Sequence, residues 1–121
     1  MDLLAPTRER GRPEIATTDL VGNRGYNRGQ EDDLDDRDYT TKFGGNSAAA
    51  PQVAAALALM MSVHPDLTRD EAYKILRTTA DKIQPERARY NDAGHSDRYG
   101  YGRLDVEAAL LAILQKQQRQ R

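Results

Sequence analysis

The sequence predicts an α/β fold with a few short strands, one helix buried at the centre and two amphipathic helices packed beside it. Three observations carry this. Residues 48–63 are apolar almost throughout, with only Gln52 and Ser62 polar, and a helix apolar on every side belongs inside a larger structure. Thr68-Arg69-Asp70-Glu71 has the spacing of a capping box, and Ala72, Ile75, Leu76, Thr79 and Ile83 follow it at helical spacing. Residues 15–18 and 39–43 are rich in β-branched and aromatic side chains and end in polar or glycine-containing segments, as short strands do.

In chain order, residues 2–6 read as a short strand or extended piece ended by Pro6, and residues 7–14 as a charged loop. The first strand covers 15–18. Residues 22–29 hold three glycines and two asparagines and should turn. Residues 31–38 are acidic, and 39–43 form the second strand, leading into the turn Gly44-Gly45. Asn46 or Ser47 then caps the apolar helix, which runs to Val63. Pro51 falls near the end of its first turn, where the amides have no helical partner to lose. His64-Pro65-Asp66 ends that helix. The capped helix follows, then a polar loop over 84–103 with Gly94, Gly100 and Gly102. Asp105 caps a last helix running to Leu114. The polar tail, residues 115–121, is expected to be frayed or disordered. The expected organisation is one domain over residues 1–114 and this tail.

Composition excludes several classes of function. At 121 residues the chain holds one domain. Its 18 basic and 19 acidic residues are interspersed and give a net charge of -1, with no basic stripe of the kind a nucleic-acid binder shows. The helix of residues 68–83 carries mixed charge outward, which argues against a DNA-reading helix-turn-helix. No cysteine is present, so disulfides and cysteine metal sites are excluded. The amino terminus has neither a basic stretch nor a long apolar one, so no signal peptide is expected. The longest apolar run, residues 53–61, falls short of the roughly 20 residues of a membrane span.

The segment that carries chemistry is Phe43-Gly44-Gly45-Asn46-Ser47-Ala48-Ala49-Ala50-Pro51-Gln52-Val53-Ala54-Ala55. Two glycines let backbone approach a substrate closely. A serine just after them, at a helix amino terminus, sits among amides that lack helical partners, where the helix dipole favours negative charge. An oxyanion formed on attack by Ser47 could be held by the Ser47 N–H. Taken alone, a serine opening an alanine-rich helix is most often only an N-cap. The Gly-x-Ser-x-Gly elbow of α/β-hydrolases is not matched, because Ala49 stands at its last glycine.

The segment resembles the serine motif of the subtilisin-like serine proteases, Gly-Thr-Ser-x-Ala-x-Pro-x-Val-Ala-Gly. Gly45, Ser47, Ala49, Pro51, Val53 and Ala54 match it, whereas Asn46 replaces threonine and Ala55 replaces glycine. The resemblance extends from Asp2 to about Leu114, through Asp2-Leu3-Leu4-Ala5-Pro6, residues 15–19, Gly25-Tyr26, residues 38–40, Leu67-Thr68 and residues 99–105. It implies that this is the carboxy-terminal part of a subtilisin-like domain whose complete form is a parallel sheet flanked by helices, most of that sheet being absent here. It also implies serine-type endopeptidase activity with Ser47 as the catalytic nucleophile. In the family the order is aspartate, histidine, serine, so both partners of Ser47 and the second oxyanion donor would precede this chain. Met1 stands ahead of what resembles a mid-domain strand, as an interrupted gene, an internal start or a split gene would produce. His64, in a helix-ending turn, and His95, in the polar loop, both follow Ser47 and are expected to play structural roles.

The six carboxylates of residues 31–38 raise calcium binding, which the family often uses, but their spacing lacks the EF-hand pattern and a solvated loop is preferred. No metal site and no cofactor are expected. The expected partners are a peptide or protein substrate and the amino-terminal part of the same protease domain. As a chain alone the protein is expected to be inactive. The alternative is a non-catalytic remnant or a partner-dependent subunit of a split protease.

Overall fold

The computed structural model describes residues 2–7 and 15–119. The chain forms two compact units, one of Pro6–Pro51 and one of Met1–Ala5 with Gln52–Arg121. It combines helix and strand, as expected, and its sheet is a two-stranded antiparallel ribbon.

In the first unit, β1 (Ile15–Thr18) pairs antiparallel with β2 (Tyr39–Phe43). Ile15 faces Phe43, Thr17 faces Thr40 and Thr18 faces Tyr39, with an irregularity between Ile15 and Thr17. Both strands have the bounds read from the sequence. The parallel sheet is not present among the described residues: this ribbon is the named sheet, and the parallel pairing is a single bridge from Leu4 to Arg103 in the other unit. The reason is that two strands joined by a loop pair as a hairpin, whereas parallel strands need crossover segments.

The long loop between β1 and β2 is built around Asn27, which is fully buried. Its Nδ2 donates to the carbonyls of Leu34 (2.7 Å), Tyr39 (2.8 Å) and Asp36 (3.3 Å), and its Oδ1 accepts from the Gly29 amide at 2.9 Å. Its own amide donates to Asp19 Oδ2 at 2.7 Å, while Asp19 Oδ1 accepts from Leu20 N–H. Gly25 lies so close to Asp19 that an added Cβ would stand 2.0 Å from Oδ1. Any side chain at Gly25 would expel that carboxylate.

α1 (Asn46–Val63) starts in the first unit and continues into the second, whose other helices are α2 (Arg69–Thr79), a short α3 (Pro85–Ala88) and α4 (Val106–Arg119). Met60, Leu67, Ala72, Leu76, Ala109 and Ile113 make the core. Thr68 caps α2 as expected: its hydroxyl accepts from Glu71 N–H, and the Glu71 carboxylate returns to the Thr68 amide and hydroxyl. Glu71 also pairs with Lys116 of α4. That pair first, then the Thr68 hydrogen bonds, hold the Glu71 carboxyl down at about 2. Asp105 caps α4 by accepting from Ala108 N–H at 2.8 Å.

Three further expectations are corrected. The helix of residues 46–63 is not buried on all sides: Ala48, Ala56 and Met60 are buried, whereas Leu59 and Met61 are 49% and 52% exposed. The core uses one side of it. The capped helix stops at Thr79 rather than Ile83, because Asp81 leaves the helical path to exchange backbone hydrogen bonds with Arg103 at 2.8 and 2.9 Å. The last helix continues past Leu114 to Arg119, with Gln117 Nε2 donating to the Val63 carbonyl at 3.2 Å. Residues 120 and 121 of the expected tail, and most of the expected loop at 7–14, lie outside the described residues.

Candidate active site

Ser47 belongs to the first unit and is exposed. β2 delivers the chain to Gly44-Gly45, and α1 starts at Asn46. Gly45 has φ +74°, a left-handed conformation with open space where a side chain would be. The restriction to glycine here is therefore conformational and not one of room.

The Gly45 carbonyl accepts from Ala48 N–H (3.1 Å), from Ala49 N–H (3.3 Å) and from the Thr7 hydroxyl (2.9 Å). It makes the first helical hydrogen bond, so Gly45 is the capping residue. The expectation that Asn46 or Ser47 caps α1 is thus corrected. Ser47 is the second helical residue, and its hydroxyl has no hydrogen-bond partner among the described residues. Its side chain is released from the structural duty a serine most often has at this place. Its backbone N–H, in the first turn, has no acceptor among the described residues either. No acidic side chain stands in that turn to neutralise the positive end of the dipole. Ala48 is buried beneath, so the turn packs closely.

Pro51 is the sixth helical residue, one or two residues deeper than the sequence suggested. It lacks the amide that would have bonded the Ser47 carbonyl. Asn46 is exposed beside Ser47.

The two histidines take the structural places expected of them. His64 follows the far end of α1, its amide bonded to the Met60 carbonyl at 3.0 Å. His95 lies in the loop of the other unit, its ring edge-on to Tyr101 with centroids 5.0 Å apart and its amide bonded to Asn91 Oδ1.

The acidic segment spends its carboxylates locally. Asp33 accepts from the Thr41 amide (2.7 Å), the Thr41 hydroxyl (3.0 Å), the Thr40 hydroxyl (2.8 Å) and Leu34 N–H (2.9 Å). Partial burial pushes its carboxyl up, but these hydrogen bonds outweigh it and bring it to about 2. Asp32 pairs with Lys42 at 2.6 Å, which lowers its pKa. Asp38 accepts from Gly22 N–H at 3.0 Å. Among the described residues no three acidic or histidine side chains are grouped to hold a metal ion.

An exposed serine opening a helix behind a left-handed glycine, with an unbonded amide and an unopposed dipole, defines only a broad class of helix-opening serines. Comparison with known proteins narrows this class. The sequence profile of the subtilase family (peptidase S8) matches residues 3–102, and the chain belongs to that family. The calcium-dependent protease of Trichormus variabilis is 41% identical over 104 residues, an alignment covering 84% of this chain and 16% of that protein. An extracellular serine protease of Aeromonas sobria is 32% identical, covering 81% of this chain and 21% of that protein. The crystal structure of the Aeromonas sobria serine protease with its chaperone superposes with a TM-score of 0.73 at 27% identity, over 85% of this chain and 23% of that one. The chain thus spans less than a quarter of the length of these relatives, and it matches subtilisin-like structures over that part alone.

Proposed function

We propose that Ser47 is the nucleophile of a serine-type endopeptidase and that this chain carries the serine half of its catalytic site. The observation that supports the reading is the division of labour at the start of α1: Gly45 caps the helix and leaves Ser47 exposed and unbonded. In peptide-bond cleavage Ser47 Oγ attacks the carbonyl carbon and passes its proton to a histidine base. The Ser47 N–H donates to the oxyanion, and the leaving amine departs with the proton from the imidazole. An acyl-enzyme on Ser47 remains, and water then hydrolyses it.

The base, the aspartate that orients it and a second oxyanion donor come from another part of the protease fold, the family's order of catalytic residues placing them before Ser47. The 121-residue chain by itself is inactive on this reading, since a serine without a base is a poor nucleophile at neutral pH. The second reading, a non-catalytic subunit that works through a partner, draws on two observations. Asn46 replaces the family's threonine beside the nucleophile, and α1 leaves Leu59 and Met61 exposed.

The test supplies the amino-terminal part of a subtilisin-like domain to the purified chain and adds a fluorophosphonate probe. Labelling that requires both pieces and vanishes in Ser47→Ala is the expected result. A stable complex of the two pieces without Ser47-dependent labelling establishes the second reading instead. Hydrolysis of casein by the chain alone, lost in Ser47→Ala, would show that a base lies within these residues.

A further inference from the structure

The loop between β1 and β2 contains a groove of about 520 Å³ lined by Asp19, Leu20, Arg24, Gly25, Tyr26 and Arg28, among others. Its volume lies within the roughly 300–1,000 Å³ range of ligand-binding clefts. Two of its walls are apolar side chains turned to solvent: Leu20 is 62% exposed and Tyr26 61%. The loop that carries them is held from below. Buried Asn27 ties it to the Leu34, Asp36 and Tyr39 carbonyls, and Gly22 N–H is bonded to Asp38.

The charge of the groove follows from the same bonds. Asp19, its acid, has both carboxylate oxygens engaged by the Leu20 and Asn27 amides. Arg24 and Arg28 form no ion pair among the described residues; Arg28 Nε reaches only the Gly25 carbonyl at 3.4 Å. The groove therefore offers an aliphatic and an aromatic wall with two guanidinium groups against the single carboxylate of Asp19. Exposed tyrosine and arginine beside an apolar surface is the composition of protein-binding hot spots. Tyr26 also packs edge-on against Phe43, ring centroids 6.5 Å apart, and Phe43 is the last residue of β2, four before Ser47. The groove wall is thus braced on the strand that leads to the serine.

We infer that this groove is a docking site for an extended polypeptide segment in which acidic and apolar side chains alternate, carried by the protein substrate. The inference rests on the peptidase reading for the identity of the occupant but not for its chemistry. Acidic side chains meet Arg24 and Arg28, while apolar ones cover Leu20 and stack on Tyr26. Substrates bearing such a segment are retained, and the site adds selectivity that Ser47 itself does not provide.

The probe is a fluorescein-labelled hexapeptide of alternating leucine and glutamate, compared with its leucine and lysine counterpart by fluorescence anisotropy on the purified chain. The acidic peptide is expected to bind about tenfold more tightly, a preference that the double variant Arg24→Glu, Arg28→Glu reverses, since like-charge juxtaposition is repelled. Tyr26→Ala weakens both peptides, and amide shifts on titration fall within residues 19–30. The arginine substitutions are on the surface and leave the fold intact, so they decide the matter should Tyr26→Ala unfold the loop. Equal affinity for the two peptides, or a preference unchanged in the double variant, overturns the proposal. Ser47→Ala binds as the parent chain does. Peptide binding without Ser47 labelling in the complemented protein therefore sinks the catalytic reading alone, and labelling without peptide binding sinks the groove alone.

Discussion

Replacing Asn27 by alanine tests whether one buried amide organises the loop. The substitution removes two well-formed bonds from Nδ2, to Leu34 and Tyr39 at 2.7 and 2.8 Å, and one to Oδ1 from Gly29 at 2.9 Å. Each net hydrogen bond contributes about 1 kcal/mol, and a buried group left unpaired costs about 1–3 kcal/mol. Three bonds then amount to about 3 kcal/mol, and at about 1.4 kcal/mol per factor of ten the loop opens about 100-fold more often. Amide hydrogen exchange reads this directly at Asp19 N–H, which bonds to the Asp38 carbonyl at 2.7 Å where the loop closes. Asn27→Asp sharpens the test, because it keeps the shape of the side chain but has no donor for the three carbonyls that converge on Nδ2. It should lose at least as much protection as the alanine variant. If Asn27→Ala loses less than about threefold, or if Asn27→Asp is tolerated, packing and not hydrogen bonding holds the loop and the argument fails.

Acid titration and sedimentation test two other features. The Glu71 carboxyl lies at about 2 in the folded chain against 4.5 unperturbed. A depressed carboxyl contributes stability that is present above its unfolded value and lost as pH falls towards its folded one. The urea midpoint of the parent should therefore exceed that of Glu71→Gln at pH 6, with the gap closing between pH 4.5 and 2; a gap independent of pH would show that the pair with Lys116 has no electrostatic worth. The purified chain should self-associate as its concentration rises, because α1 leaves Leu59 and Met61 about half exposed and contiguous exposed apolar surface favours association. Sedimentation should show the double variant Leu59→Glu, Met61→Glu restored to a monomer, and a parent already monomeric with a sharp thermal transition would contradict this.

The sequence disclosed what local chemistry determines. β1 and β2 have the bounds read from their residues and α1 ends at Val63 as read, because β-branched runs, the Gly44-Gly45 turn and His64-Pro65 punctuate them in the chain itself. The Thr68–Glu71 box and the Asp105 cap are likewise contacts between near neighbours. The end of α2 was not legible, since Asp81 is drawn away by Arg103, 22 residues on. α3 was missed because it is bracketed by Gln84 and Arg89 with φ near +50°, positions where sequence signals would call for glycine or asparagine. Its one signal was Pro85 at the first helical position. The extent of α4 depends on Lys116 and Gln117 finding partners in other helices. At the candidate site the residue was legible and its freedom was not. Nothing in the letters Gly-Asn-Ser shows that the cap is the glycine, which has no side chain to bond the free amides. Asn27 sat unremarked among the glycines of a loop, since an asparagine in a turn is ordinary until its burial is seen.

The double use of Glu71 couples two parts of the chain that are far apart in sequence. The same carboxylate closes the amino-terminal turn of α2 and receives Lys116 from the closing turns of α4. Unwinding of the last turns of α4 thus removes the cation that keeps the carboxylate in place and loosens the opening turn of α2. Enzymatic trimming back past Lys116 would then be felt first at Thr68, in a turn that the missing residues never form part of.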